Sequence, residues 1–398
     1  MQNLTNQKVK PKIVPFQLQP EFHYKGALSN VWPHKENNGD RIIDQLTLAP
    51  ISSNISSRII LAYNVKLRPE ELGMQKFIKD DCPVKSCELI DQRYESKIDA
   101  VVFKRTPSRK MLHQWSRNKN IVKIWYELES PYHSPPTHML DYNINWTATY
   151  RRDSTIVTPY EKFVPFDTVQ AANVTQVNHA AKKTEMVAWF VSNCRDKNGR
   201  LNYAIALGKH VQVDIYGSCG NKTCPRKEAN RCFEMLNKRY KFYLSFENSA
   251  CKDYITEKLF WNALQNEVVP IVMGAHPADY AAIAPPHSFI HVDDFKSPKD
   301  LANYLMKLDA DDQLYNEYFR WKNTGSFINT KFWCRVCSML HEQASHGVHT
   351  WYNSAHTWAT RTLAGPACLP KPNGRDGFIW SSWRLAPFNY TSSSGMRR

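Results

Sequence analysis

KFYLSFENSACKDYITEKLFWNAL, residues 241–264, starts as a strand and ends as a helix. Between Phe246 and Tyr254 nearly every residue is polar or small. Parallel α/β sheets bind ligands beyond the carboxyl ends of their strands, and this loop lies at one such end. Downstream, Ile255, Leu259, Phe260, Ala263 and Leu264 share one helical face. Asp253 is the expected N-cap, which sets Tyr254, Glu257 and Lys258 in or beside the first turn. A helix start with free N–H groups and a nearby lysine suits a phosphate.

The same alternation surrounds this segment. VAWFVS (187–192), VQVDIYG (211–217), VVPIVMG (268–274) and SFIHVDDF (288–295) read as strands. RLNYAIALGKH (200–210), PKDLANYLMKLD and DDQLYNEYFRW read as helices. Upstream, RIILAYN (58–64), DAVVFK (99–104) and IVKIWYELES (121–130) are short apolar runs suited to buried parallel strands. Residues 162–186 lack periodicity and read as a linker. The pattern predicts an arm over 1–40, an α/β domain over 41–183, a second over 184–345 that carries the ligand loop, and an extension over 346–398. Trp351, Trp358, Trp380 and Trp383 make that extension aromatic, fitting packing or glycan contact, with packing the favoured reading.

The net charge of +15 over 398 residues points to anionic partners. KRTPSRKMLHQWSRNKN, residues 104–120, holds six Lys or Arg and no acid, but only one aromatic, so a solvated helix face is expected there and no nucleic-acid partner. Arg200 opens the helix after VAWFVS and is the natural second cation beside Lys258. Asn248 and Tyr254 would add neutral hydrogen bonds, and Glu257 would cap its helix or accept from ribose hydroxyls. Two unit charges about 4 Å apart in a partly wet cleft interact by about 4 kcal/mol, enough for two cations to hold a diphosphate without metal.

Ten cysteines fit an oxidising compartment. Six N-x-[ST] sites, at Asn3, Asn54, Asn145, Asn173, Asn221 and Asn389, agree with it. No run of about 20 apolar residues occurs, so the expectation is a membrane anchor outside this sequence. Cys334-x-x-Cys337 and Cys82-x4-Cys87 could suggest zinc, but disulfides are the expected use. Cys194 with Cys232 and Cys219 with Cys224 are further candidate pairs, whereas Cys251 and Cys368 have no evident partner. The D-x-D at Asp309–Asp311 falls between helices and reads as a solvated helix start.

FYLSFENS followed by DYITEK resembles the signature of the α1,3-fucosyltransferases, inverting enzymes that move fucose from GDP-fucose to a GlcNAc hydroxyl. LESPYHS (128–134), NWTATYRRDSTIVTPY (145–160), VAWFVSNC (187–194), VDIYG (213–217) and SFIHVDDF also resemble that family, in its order. SNCRDKNGRLNYA, KDYITEK and FINTKFWCRVCSMLH look most similar to the core α1,3-fucosyltransferases of invertebrates and plants, which act on the innermost GlcNAc of N-glycans. The resemblance implies a GT-B type fold of two facing Rossmann-like domains. It implies Glu129 as general base, with Arg200, Asn248, Tyr254, Glu257 and Lys258 as donor contacts. It also implies that Cys82 and Cys87 pair with Cys334 and Cys337, stapling the two domains. GDP-fucose and a glycoprotein N-glycan are the implied partners, and the implied setting is the Golgi lumen, as a type II membrane protein, or a secreted soluble form. No metal cofactor is required, although stimulation by Mn²⁺ stays open with no site to name.

Three alternatives stay open. Glu127, two residues before Glu129 on the same side of an extended strand, is a rival base, with the Ser-Pro after Glu129 favouring the latter. A Lewis-type transferase acting on antennal LacNAc and a catalytically silent glycan-binding relative are the rival functions.

Overall fold

The computed structural model describes residues 21–23, 30–33, 39–49, 56–91, 97–167, 177–363, 365–373 and 379–386. Two five-stranded parallel sheets organise them. The first contains β1 (Arg58–Tyr63), β2 (Cys87–Asp91), β3 (Ala100–Phe103), β4 (Val122–Glu127) and β5 (Trp146–Thr149), in spatial order β2-β1-β3-β4-β5. Successive side chains point to opposite faces, so Ile60, Val102 and Ile124 enter one core while Leu61, Val101, Phe103 and Trp125 enter another. Burial on both faces is why these strands read as continuous apolar runs.

The second sheet contains β6 (Glu185–Phe190), β7 (Val213–Tyr216), β8 (Tyr240–Phe246), β9 (Val269–Met273) and β10 (Ile290–His291), in order β10-β9-β8-β6-β7. Val187, Trp189, Phe242, Leu244 and Ile271 fill its main core. The two-domain α/β architecture of the GT-B type is therefore present. β8 lies at the sheet centre, so the loop after Phe246 opens where the strand order turns.

SFIHVDDF forms a strand only over Ile290–His291, because Val292–Asp294 turns into a 3₁₀ helix. The linker region begins with a strand, Lys162–Pro165, antiparallel to Gly325–Ile328. β2 and β5 were not distinguished as strands from sequence, since CELID and WTAT are short and partly polar. The boundary at 345 does not match the packing: the helix Phe332–His346 puts Val336, Met339 and Leu340 into the core of the first sheet. Tyr352, Ala355 and Trp358 follow onto its other face. Only then does the chain cross back, and Trp383 donates from Nε1 to Gly274 O at 2.8 Å in the second domain. Packing thus accounts for Trp358 and Trp383.

All ten cysteines are paired. Cys82–Cys334 and Cys87–Cys337 fasten the late helix to the first core, so they staple one domain rather than two. Cys194 pairs with Cys219, not Cys232, because both follow the carboxyl ends of the adjacent strands β6 and β7. Cys232, on the helix Ala229–Arg239, faces Cys224. Cys251 joins Cys368.

All six Lys and Arg of residues 104–120 are exposed, while Leu112 and Trp115 of the helix Arg109–Arg117 are buried, as a solvated helix face requires. Asn145 is a poor glycan acceptor: its amide donates to Thr350 O at 2.7 Å and accepts from Lys123 N at 3.0 Å inside the sheet. Asn221 is exposed, and Asn3, Asn54, Asn173 and Asn389 lie outside the described residues.

Removing Cys82–Cys334 by Cys82→Ser with Cys334→Ser should cost about 2–5 kcal/mol of stability in denaturant titration. An unchanged midpoint would contradict the stapling of the late helix.

Candidate active site

β4 ends in a tight turn that projects Glu129. Glu127 Oε1 accepts the N–H groups of Leu128 (3.0 Å) and Glu129 (2.9 Å), which fixes the turn. Glu129 Oε1 in turn accepts from Ser130 N (3.0 Å), from Asn248 Nδ2 (3.4 Å) and from the hydroxyl of Tyr254. The last two donors come from the second domain. Burial pushes the Glu129 carboxyl up, but Tyr254, Ser130, Asn248 and the nearby His133 outweigh it and hold the carboxyl below its ordinary value. Glu129 is thus kept ionised and aimed.

Tyr254 is held as firmly as the group it serves. It is 1% exposed and tilts against Tyr150 with ring centroids 5.1 Å apart. The preceding residue, Asp253, has a left-handed backbone (φ 57°) and does not cap a helix. Its carboxylate accepts from Arg152 N and Nε at 3.1 and 2.8 Å. Arg152 Nη2 continues to Asp279 Oδ1 at 2.8 Å, and Asp253 N donates to Asp279 Oδ2 at 3.0 Å. One arginine of the first domain thereby ties two buried carboxylates of the second, and deleting a member of such a buried set typically costs about 3–5 kcal/mol. Ser130 and Ser249 hydroxyls meet at 2.9 Å across the same junction. Cys251–Cys368 fixes the other side of the loop.

The helical turn starts later than expected, at Glu257 with Thr256 as N-cap, and passes into a π-turn over Phe260–Leu264. The five apolar residues singled out by spacing, Ile255, Leu259, Phe260, Ala263 and Leu264, are all buried. Lys258 Nζ reaches Glu247 Oε2 at 2.9 Å, Thr256 Oγ1 at 2.7 Å and Glu257 Oε1 at 3.2 Å. Burial lowers the Lys258 pKa, but Glu247 and Glu257 outweigh that and raise it, so the ammonium stays charged. Arg200 is 3% exposed and donates to Phe246 O (2.7 Å) and Asn193 O (3.0 Å), while its Nε is buried without a partner. Its guanidinium braces the ends of β6 and β8. Asn248, Tyr254, Glu257, Lys258 and Arg200 therefore gather at the end of β8, with Glu129 opposite.

Sequence reading missed Glu247, a fully buried carboxylate that accepts from Thr256 N at 2.8 Å and pairs with Lys258. Gly274 is required beside it, because a Cβ there would lie 2.7 Å from the Glu247 side chain. Arg152 and Asp279 were missed as well, 101 and 127 residues apart from their partners in the relevant hydrogen bonds. A cavity of about 300 Å³ opens beside Glu129, walled by Trp125, Tyr150 and Trp358.

Asp311 caps the helix Asp312–Glu317 and Asp309 pairs with Lys241 at 2.8 Å, which accounts for the D-x-D. Cys87, Cys337 and His341 cluster within metal-ligand reach, but both sulfurs are consumed by the disulfide.

Two family models match the chain: "Fucosyltransferase, N-terminal" over residues 55–161 and "Glycosyltransferase family 10 (fucosyltransferase) C-term" over 180–358. Glycoprotein 3-alpha-L-fucosyltransferase A of Drosophila melanogaster is 50% identical over 334 residues, 82% of this chain and 66% of that protein. A human 4-galactosyl-N-acetylglucosaminide 3-alpha-L-fucosyltransferase is 43% identical over 235 residues, 58% of this chain and 63% of that protein. The chain thus spans just under two thirds of the length of these relatives. A crystal structure of an alpha1,3-fucosyltransferase with GDP-fucose aligns with a TM-score of 0.46 at 16% identity, covering 77% of this chain and 96% of that one.

Tyr254→Phe removes the hydroxyl that favours the ionised form of Glu129. The titration midpoint of Glu129, followed by carboxyl ¹³C NMR, should therefore move to higher pH. A midpoint unchanged from the parent would contradict the hydrogen bond.

Proposed function

The chain belongs to glycosyltransferase family 10, the fucosyltransferases, and from that membership we propose that it moves fucose from GDP-fucose to the 3-hydroxyl of the innermost, Asn-linked GlcNAc of N-glycans, with inversion. The observation that carries this reading is the Glu129 carboxylate, kept ionised at the domain junction by a tyrosine from the opposite domain.

An acceptor hydroxyl is a weak nucleophile, and a positioned base typically contributes about 10²- to 10⁴-fold. Glu129 takes the proton from the acceptor oxygen as that oxygen attacks the fucose anomeric carbon. GDP departs from the opposite face, so the β-linked donor gives an α-linked product. Charge grows on the departing diphosphate, and the role proposed for the Lys258 ammonium and the Arg200 guanidinium is to offset it. Asn248 and Glu257 supply polar contacts to the nucleotide. No metal enters this scheme.

The acceptor assignment draws on the Drosophila relative, whose name specifies a glycoprotein substrate. Five disulfides with no free cysteine among the described residues suit an oxidising lumen, and the Golgi is the proposed compartment. Among the described residues no helix is long and apolar enough to cross a membrane.

The protein incubated with GDP-fucose and a panel of N-glycans, followed by linkage mapping by mass spectrometry, should place α1,3-fucose on the Asn-linked GlcNAc. Fucose on antennae alone would contradict the acceptor assignment and leave the donor chemistry standing.

A further inference from the structure

Glu127 is the carboxylate that the mechanism leaves unused. It is 7% exposed and lines the same cavity as Glu129. Its Oε1 is occupied by the N–H groups of Leu128 and Glu129, but no hydrogen bond among the described residues reaches its Oε2. A carboxyl oxygen that has no protein donor and belongs to a residue lining a cavity can accept from a ligand there. Burial pushes the Glu127 carboxyl up and the neighbouring Glu129 charge adds to this, while the Leu128 and Glu129 N–H groups and Lys104 act in the other direction.

The rest of the cavity describes what that donor is attached to. Trp125, Tyr150 and Trp358 form apolar walls, and the stacked rings of His138 and His356, 3.6 Å apart, lie along the same lining. Aromatic walls suit the apolar face of a pyranose or a methyl group, with few polar groups to fix orientation. In an N-glycan the attacked GlcNAc has its 4-oxygen substituted, so the one hydrogen-bond donor adjacent to the 3-hydroxyl is the N–H of the 2-acetamido group.

We propose that this cavity seats the acetamido group of the acceptor sugar, with Glu127 Oε2 accepting its N–H and the aromatic walls enclosing its methyl. The inference rests on the fucosyl-transfer reading. It adds a specificity residue: Glu129 activates the 3-hydroxyl while Glu127 requires an N-acetylated neighbour. Glu127 is then a partner of the base rather than its rival.

The test uses the full chain, GDP-fucose and two synthetic acceptors that differ only at the attacked sugar, GlcNAc or its 2-deoxy analogue. Glu127→Gln keeps an oxygen for the two turn N–H groups and replaces Oε2 by a donor, and GDP affinity reports that the donor side is intact. The parent protein should prefer the N-acetylated acceptor by roughly 10- to 100-fold in kcat/KM. Glu127→Gln should lose most of that preference, chiefly through a raised acceptor KM. Retention of the full preference by the variant would overturn the role of Glu127. Failure of the parent to transfer fucose to either acceptor would instead overturn the reading of the whole site.

Discussion

The hydrogen bond from the Tyr254 hydroxyl to Glu129 is the interaction on which the site depends. It joins a residue at the end of β4 to one in the loop after β8, and so couples the proposed base of one domain to the proposed donor loop of the other. A hydroxyl donor favours the ionised carboxyl, and burial alone would push the other way. The chemistry of Glu129 is thereby conditional on the two domains being in register.

That register is maintained by contacts around the loop rather than by the sheets. Arg152 crosses from the first domain to Asp253 and Asp279, Ser130 meets Ser249, and Cys251–Cys368 ties the loop to the returning tail. Tyr132 also donates to Leu369 O at 2.9 Å. The late part of the chain contributes twice: its helix reinforces the first core through two disulfides, and its last described segment packs over the second domain near Gly274. A chain that crosses the junction twice resists the sliding that would separate Tyr254 from Glu129.

Much of this was legible in the sequence, for specific reasons. Strands buried on both faces leave uninterrupted apolar runs such as AVVF and VPIVM, so β3 and β9 were visible. The loop after β8 was visible because a polar interval stood between a strand and an apolar helical face. The strands CELID and WTAT escaped because their apolar content is low and their burial comes from the late helix and from tertiary partners. Glu247 and Asp279 escaped for a different reason. One is a buried carboxylate paired with Lys258 and the other with Arg152, and nothing local in the sequence marks an acid as buried. The pairing of Cys194 with Cys219 followed strand adjacency, a property of the sheet order that spacing does not encode.

The central claim is that Glu129 accepts the proton of the attacking hydroxyl while the opposite domain holds the nucleotide. Glu129→Gln separates the two functions most directly, because it preserves size and hydrogen bonding but removes the base. Single-turnover transfer and GDP binding by calorimetry should be measured on the same preparation. Transfer should fall by about 10²-fold or more with GDP affinity nearly unchanged. Transfer at the parent rate would contradict the account.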